Sequence, residues 1–154
     1  MPPPIQPPIG IRLASAARIV RRGFDEALAE VGGSLPEWLV LLNLKIRRPA
    51  NQRELAEAVG VREATLTHHL NAMDVEGLVT RRRDASNRRI HVVELTDAGE
   101  EMFLRLRTAA MAFDQRLRAG ITEGELSSLE ATLDRLVRNV AAADEPAQWA
   151  GLHP

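Results

Sequence analysis

Asn51-Gln52-Arg53-Glu54-Leu55-Ala56-Glu57-Ala58-Val59-Gly60-Val61-Arg62-Glu63-Ala64-Thr65-Leu66-Thr67-His68-His69-Leu70 is the stretch on which the fold turns. Asn51 with Glu54 three residues later matches a capping box, and the helix it opens runs through Val59 to a stop at Gly60. A second helix follows from Arg62 to Glu76. A helix-turn-helix needs a small residue where its helices cross, a glycine in the turn and apolar residues locking one helix on the other. Ala56 meets the first need and Gly60 the second. Leu55, Val59, Val61, Leu66 and Leu70 supply the lock.

Just downstream the periodicity changes. Leu78-Val79-Thr80 is strand-like, and Ile90 to Leu95 alternates with β-branched enrichment. Between them, Arg81-Arg82-Arg83-Asp84-Ala85-Ser86-Asn87-Arg88-Arg89 is rich in arginine and turn formers. Two short strands around such a tip read as a β-hairpin wing over residues 78–95, beside a helix-turn-helix over 51–76.

Working outward, Met1 to Gly10 holds five prolines and reads as an extended, non-helical arm. Apolar residues at helical spacing from Ile11 to Val31, stopped by Gly32-Gly33, mark a first helix. Ser34 caps a second, with Pro36 in its first turn and Trp38, Leu39, Leu41, Leu42 and Leu44 making it apolar nearly all round. Thr96 caps a long helix carrying Met102, Phe103, Leu106, Ala109, Ala110, Phe113 and Leu117. Thr122 with Glu125 forms another capping box. The helix it opens repeats Leu126, Leu129, Leu133, Leu136 and Val140 at the three-four spacing of a coiled-coil seam. The expected fold is therefore mainly α with a short β-hairpin wing: a winged helix-turn-helix over residues 34–104, dimerisation helices at 11–33 and 118–145, and a linking helical segment at 105–117.

Composition narrows function. The chain has no cysteine, which removes disulfides, thiolate nucleophiles and thiolate metal sites. No HExxH, glycine-rich phosphate loop or nucleophile elbow is present, so the expectation is a protein that is not an enzyme and needs no cofactor. No apolar run approaches the roughly 20 residues of a membrane span, so the chain reads as soluble and cytoplasmic. Although the formal net charge is only −1, Lys45 to Leu95 is net basic and Thr96 to Pro154 net acidic. All basic residues but Lys45 are arginine, whose fork suits phosphate and guanine.

At about 100° per residue, Leu66, Leu70 and Met73 share one side of the fourth helix. Ala64, Thr65, His68, Asn71 and Ala72 share the other, which should enter a major groove of double-stranded DNA. Asn71 suits adenine, Thr65 offers a hydroxyl and a methyl, and His68 can donate to guanine or phosphate. Arg62 at the helix start can reach phosphate. His69, on the margin of the core side, reads as a half-buried packing residue, and metal binding by the His68-His69 pair is disfavoured because helix neighbours diverge. In the wing, Arg88 and Arg89 can reach a narrow minor groove. Alternation sends them to opposite faces, so one of them would pair with Asp84 or a helix carboxylate. Arg81, Arg82 and Arg83 read as a phosphate rail. The rival use of such a fold is contact with protein or RNA without operator specificity.

Glu54 to Val61, then Thr65-Leu66-Thr67, Gly77-Leu78-Val79, Asp84 to Arg89 and Leu95-Thr96-Asp97-Ala98-Gly99 together resemble the MarR family over nearly the whole chain. The resemblance brings Thr67 into the candidate DNA-binding set. It implies an obligate homodimer whose first and last helices interlock, acting as a repressor released by a small aromatic or anionic effector; a twofold dimer in turn predicts a pseudo-palindromic operator. The family's wing usually reads Asp-x-Arg before Leu-Thr. Here Asn87-Arg88-Arg89 stands there, so the bracing Asp–Arg ion pair is replaced by an Asn87 able to accept a hydrogen bond from Arg89. Trp38, an aromatic wall on the second helix, is the candidate effector contact at the junction of dimer base and winged region.

Overall fold

A computed structural model describes residues 6–47, 51–89 and 91–141. Its order is α1 (Ile9–Ala29), α2 (Leu35–Ile46), α3 (Gln52–Val59), α4 (Glu63–Val75), β1 (Val79–Arg83), β2 (His91–Leu95), α5 (Asp97–Leu117) and α6 (Glu123–Val140). The fold is the mainly helical one expected, with a two-stranded antiparallel hairpin. Met1–Ile5 of the expected arm, Ile90 of the wing and 142–145 of the last segment lie outside the described residues.

Local chemistry sets most boundaries. Asn51 Oδ1 accepts the Glu54 backbone N–H at 2.9 Å and opens α3. Gly60, at φ +77°, ends it in a left-handed turn whose N–H donates to the Ala56 carbonyl. Ser34, Thr96 and Thr122 cap α2, α5 and α6 in the same way, and at Thr122 the capping box with Glu125 is complete. The start of α1 differs from the sequence reading. Ile9 and Gly10 are helical, because Pro8 serves as N-cap and its carbonyl accepts from Ile11 and Arg12. Proline restricts its own φ and the residue before it, not the residue after, so the non-helical arm stops at Pro8.

The core lies where α2, α3, α4, α5 and the wing meet. Val40, Leu41, Leu55, Ala56, Leu66, Leu70, Met73, Val79, Val93 and Leu106 are all buried within it. At roughly 1.5–3 kcal/mol for each large apolar side chain, this cluster holds the helix-turn-helix in place. The lock residues Leu55, Val59, Leu66 and Leu70 are buried as expected, and Val61 packs partly buried against them. α2 is less enclosed than its composition suggests: Trp38, Leu39 and Leu42 are half-buried and Ile46 is exposed.

The wing strand is longer than expected. β1 continues through Arg83, so Arg81, Arg82 and Arg83 are strand residues rather than part of the tip. Their pairing with Val93, Val92 and His91 explains this; cross-strand neighbours decide strand formation more than the weak β-propensity of arginine. At the wing base, Thr96 Oγ1 donates to the Gly77 carbonyl and accepts the Gly99 N–H, while the Thr96 N–H donates to the Leu78 carbonyl. This clasp joins the end of the hairpin to its beginning.

α6 stands apart. None of its residues is buried, and its seam leaves Leu129 about half exposed and Val140 largely exposed. Ile9, Ile11, Ile19 and Val20 of α1 are exposed as well.

Candidate nucleic-acid interface

α4 sorts its side chains as its period requires. Leu66, Leu70 and Met73 turn into the core, and Ala64, Thr65, His68, Asn71 and Ala72 all face outward and are exposed. Arg62, the N-cap, is exposed at the start of the same helix. His69 is half-buried, its ring 5.8 Å from that of His68. Among the described residues no cluster of histidine and carboxylate side chains could hold a metal ion.

Thr67 does not join the outward set. Its hydroxyl donates to the Glu63 carbonyl at 2.8 Å and accepts from Gln52 Nε2 at 2.7 Å, which ties α4 to the start of α3. Thr67 thus holds the recognition helix at its angle to α3.

The arginines of the wing divide into three environments. Register places Arg81 on the face of the hairpin that carries Val79 and Val93, and Arg82 on the opposite face with Glu94. Arg81 Nη2 lies 3.3 Å from Asp74 Oδ2, so it turns back to α4. Arg82 makes a two-point fork on Glu94, with Nη2–Oε1 at 2.9 Å and Nε–Oε2 at 3.1 Å. That pairing holds the Glu94 carboxyl below the usual carboxylate range. Arg83, Arg88 and Arg89 are exposed and have no carboxylate partner among the described residues. The three arginines of the expected phosphate rail thus stand in different environments, because alternation separates neighbours and two of the three guanidinia pair internally.

The tip is built by Asp84, not by an arginine pair. Asp84 Oδ1 accepts the Ser86 hydroxyl and the backbone N–H groups of Ser86 and Asn87, and these hydrogen bonds lower its pKa. Asp84 is thus an Asx-turn anchor, and the expected pairing of Arg88 or Arg89 with it does not form. Asn87 Oδ1 accepts the backbone N–H of Arg89 at 3.1 Å. The departure from the usual acidic residue at this position keeps an acceptor, used on the main chain.

A cleft of about 470 Å³ lies between the starts of α3 and α4 and the wing, lined by Arg53, Glu63, Thr67, Arg81, Arg89 and His91 among others. The sequence reading missed Arg53 and His91. Arg53 was legible as a first-turn residue of α3, whereas His91 needed the hairpin register. A second cleft of about 350 Å³ lies behind the wing, lined by Leu44, Lys45, Val92, Val93, Glu94, Leu95 and Glu100. Neither holds Trp38, which stacks on Phe103 with centroids 5.7 Å apart and ring planes 12° from parallel.

This arrangement pairs an exposed polar helix face with an arginine-tipped hairpin. The family model of the MarR family matches residues 34–91. The crystal structure of transcriptional regulator PA3341 is 33% identical, with a TM-score of 0.72 over 86% of this chain and 98% of that one. The chain belongs to the MarR family. The transcriptional repressor CouR, solved bound to a 23-mer DNA duplex, is 26% identical and has a TM-score of 0.75 over 85% of this chain and 93% of that one. A mutant MarR from E. coli complexed with operator DNA has a TM-score of 0.76 at 21% identity, over 84% of this chain and 94% of that one, and shares the fold. As a MarR-family member, this chain is a transcriptional regulator of the DNA-binding kind. No helix among its described residues is long and apolar enough to cross a membrane.

Proposed function

We propose that this MarR-family chain is a homodimeric repressor that reads a pseudo-palindromic operator with α4 in the major groove and the wing tip in the flanking minor groove. The observation that carries the reading is the shared exposure of Thr65, His68 and Asn71 on α4 and of Arg83, Arg88 and Arg89 on the wing. Polar groups on α4 suit base edges, and guanidinia without an internal carboxylate suit phosphates and narrow grooves. The 470 Å³ cleft between them carries Arg53 and Arg89 toward the same side. CouR, 26% identical, binds a DNA duplex.

The dimer belongs to the same reading. Residues 11–33 and 118–145 form its base, residues 34–104 each DNA-binding lobe, and residues 105–117 the link. Support comes from α6, none of whose residues is fully buried while it presents a leucine seam, and from the exposed isoleucines of α1. A twofold dimer presents two recognition helices about one helical turn apart, roughly 34–36 Å. An effector acts at the junction near Trp38. The half-buried indole and the neighbouring Glu37 Oε2, buried with no hydrogen-bond partner among the described residues, support a ligand of mixed aromatic and polar character there.

Selection of genomic fragments by gel shift in moderate salt tests the reading. A preferred fragment is expected, with Asn71→Ala and His68→Ala relaxing preference at particular bases and Arg89→Ala weakening all sequences alike. Uniform binding to every fragment would leave a basic module for RNA or protein contact instead. For the effector, aromatic acids are titrated while DNA release and tryptophan emission are followed in wild type and Trp38→Phe. Release with unchanged affinity in the variant would remove Trp38 from the site.

A further inference from the structure

We propose that Glu94 is a specificity-determining residue of the wing, its carboxylate occupying the Arg82 guanidinium as an internal stand-in for a DNA phosphate. The inference rests on the operator-binding reading above and adds to it a device that suppresses sequence-independent binding.

The geometry of the pair is that of phosphate recognition. Arg82 offers two N–H groups to the two oxygens of Glu94 at 2.9 and 3.1 Å, the fork a phosphate edge would receive. The two residues sit on the outer face of the hairpin, Arg82 opposite Val92 and Glu94 opposite Thr80. Both side chains remain about half exposed, at 54% and 50%, so the guanidinium is within reach of an outside anion and the pair can exchange. Asp84 adds a further negative charge toward Arg82. Arg81 differs: it is less exposed, at 24%, and its partner Asp74 lies on α4, so it joins two elements. Arg83, Arg88 and Arg89 carry no internal carboxylate among the described residues.

Consequences follow from counterion release. Sequence-independent affinity grows with each cationic side chain that neutralises a phosphate. A guanidinium already neutralised by Glu94 contributes little, because moving it to a phosphate strands the Glu94 carboxylate beside the DNA backbone. The wing then binds arbitrary DNA through fewer charges than its arginine count suggests. Discrimination is left to the outward face of α4.

The test measures binding of a random-sequence duplex, roughly three helical turns long, across a salt series. Wild type, Glu94→Gln, Arg82→Gln and the double variant are compared, with thermal melts confirming folding and Glu94→Ala as a second probe of the same position. Glu94→Gln is expected to tighten binding about tenfold at low salt and to steepen the log–log salt slope by about 0.9 per wing. Arg82→Gln alone is expected to leave the slope nearly unchanged. Adding Glu94→Gln to Arg82→Gln should also leave it nearly unchanged, which separates release of Arg82 from simple loss of a negative charge. An unaltered slope in Glu94→Gln, or an equal gain with and without Arg82, would overturn the proposal, while a wild-type preference for its selected fragment kept the operator reading intact. Wild type that bound neither this duplex nor the fragment selected above at any salt would instead sink the operator reading.

Discussion

Asp74 on α4 and Arg81 on β1 lie 3.3 Å apart, carboxylate to guanidinium, and tie the recognition helix to the wing. Both side chains are partly exposed, so the pair adds only roughly 0.2–1 kcal/mol to stability. Its larger effect is on the relative placement of the two elements that carry the proposed DNA contacts. Asp74→Asn is expected to shift the urea midpoint slightly but to weaken binding to the selected fragment by about tenfold, or roughly 1.4 kcal/mol. Anisotropy titrations and urea melts run on the same samples check this, and a loss of binding no larger than the loss of stability would argue against the brace.

Gly99 tests the clasp at the base of the wing. A Cβ there would stand 2.0 Å from the Leu78 carbonyl oxygen, which is itself held by the Thr96 N–H. Backbone cannot yield as a side-chain end does. Gly99→Ala is expected to cost at least about 1–3 kcal/mol, and Thr96→Val about 1–2 kcal/mol through loss of the cap. Equilibrium denaturation that leaves Gly99→Ala as stable as wild type would contradict this packing.

The exposed seam of α6 sets an expectation for assembly. Leu129, about half exposed in the single chain, is placed to be covered by a second copy. Leu129→Asp combined with Leu133→Asp is expected to convert a dimer into a species near 17.0 kDa by sedimentation equilibrium, with loss of operator binding. Wild type already sedimenting at that mass would remove the dimer altogether.

Glu37 gives a pH dependence. Burial, and then the nearby Glu76 charge, raise its pKa, while hydrogen bonds from Ser34 oppose them. The folded state therefore holds this proton at higher pH than the unfolded chain does. Between the ordinary carboxylate value and the raised one, the folded state binds more protons, so stability falls as pH rises through that window. Glu37→Gln removes the charge. Its melting temperature relative to wild type is expected to be greatest at neutral pH and to shrink as pH falls toward the ordinary carboxylate range; a pH-independent difference would rule out this origin.

Much of the candidate interface was legible because it depends on short spacings. The outward face of α4 follows from a period of 3.6 and the buried leucines that fix its phase, so Thr65, His68 and Asn71 could be read directly. Thr67 could not. Its half-buried position depends on Gln52, fifteen residues away, whose amide meets its hydroxyl. The same limit hid His91, and it hid the internal partners of two of the arginines read as a phosphate rail, Arg81, Arg82 and Arg83. The separate partners of Arg81 and Arg82 sit on α4 and β2 and are chosen by hairpin register.

From its sequence alone, this protein's helices, their caps, the turn at Gly60 and the existence of an arginine-bearing hairpin were already determined, because each rests on contacts within a few residues of chain. Only the tertiary structure decided which arginines pair with carboxylates of their own chain. That outcome depends on carboxylates at Asp74 and Glu94 brought to Arg81 and Arg82 by the packing of β1 on α4 and β2, and no local pattern encodes the distance between groups that only folding brings together.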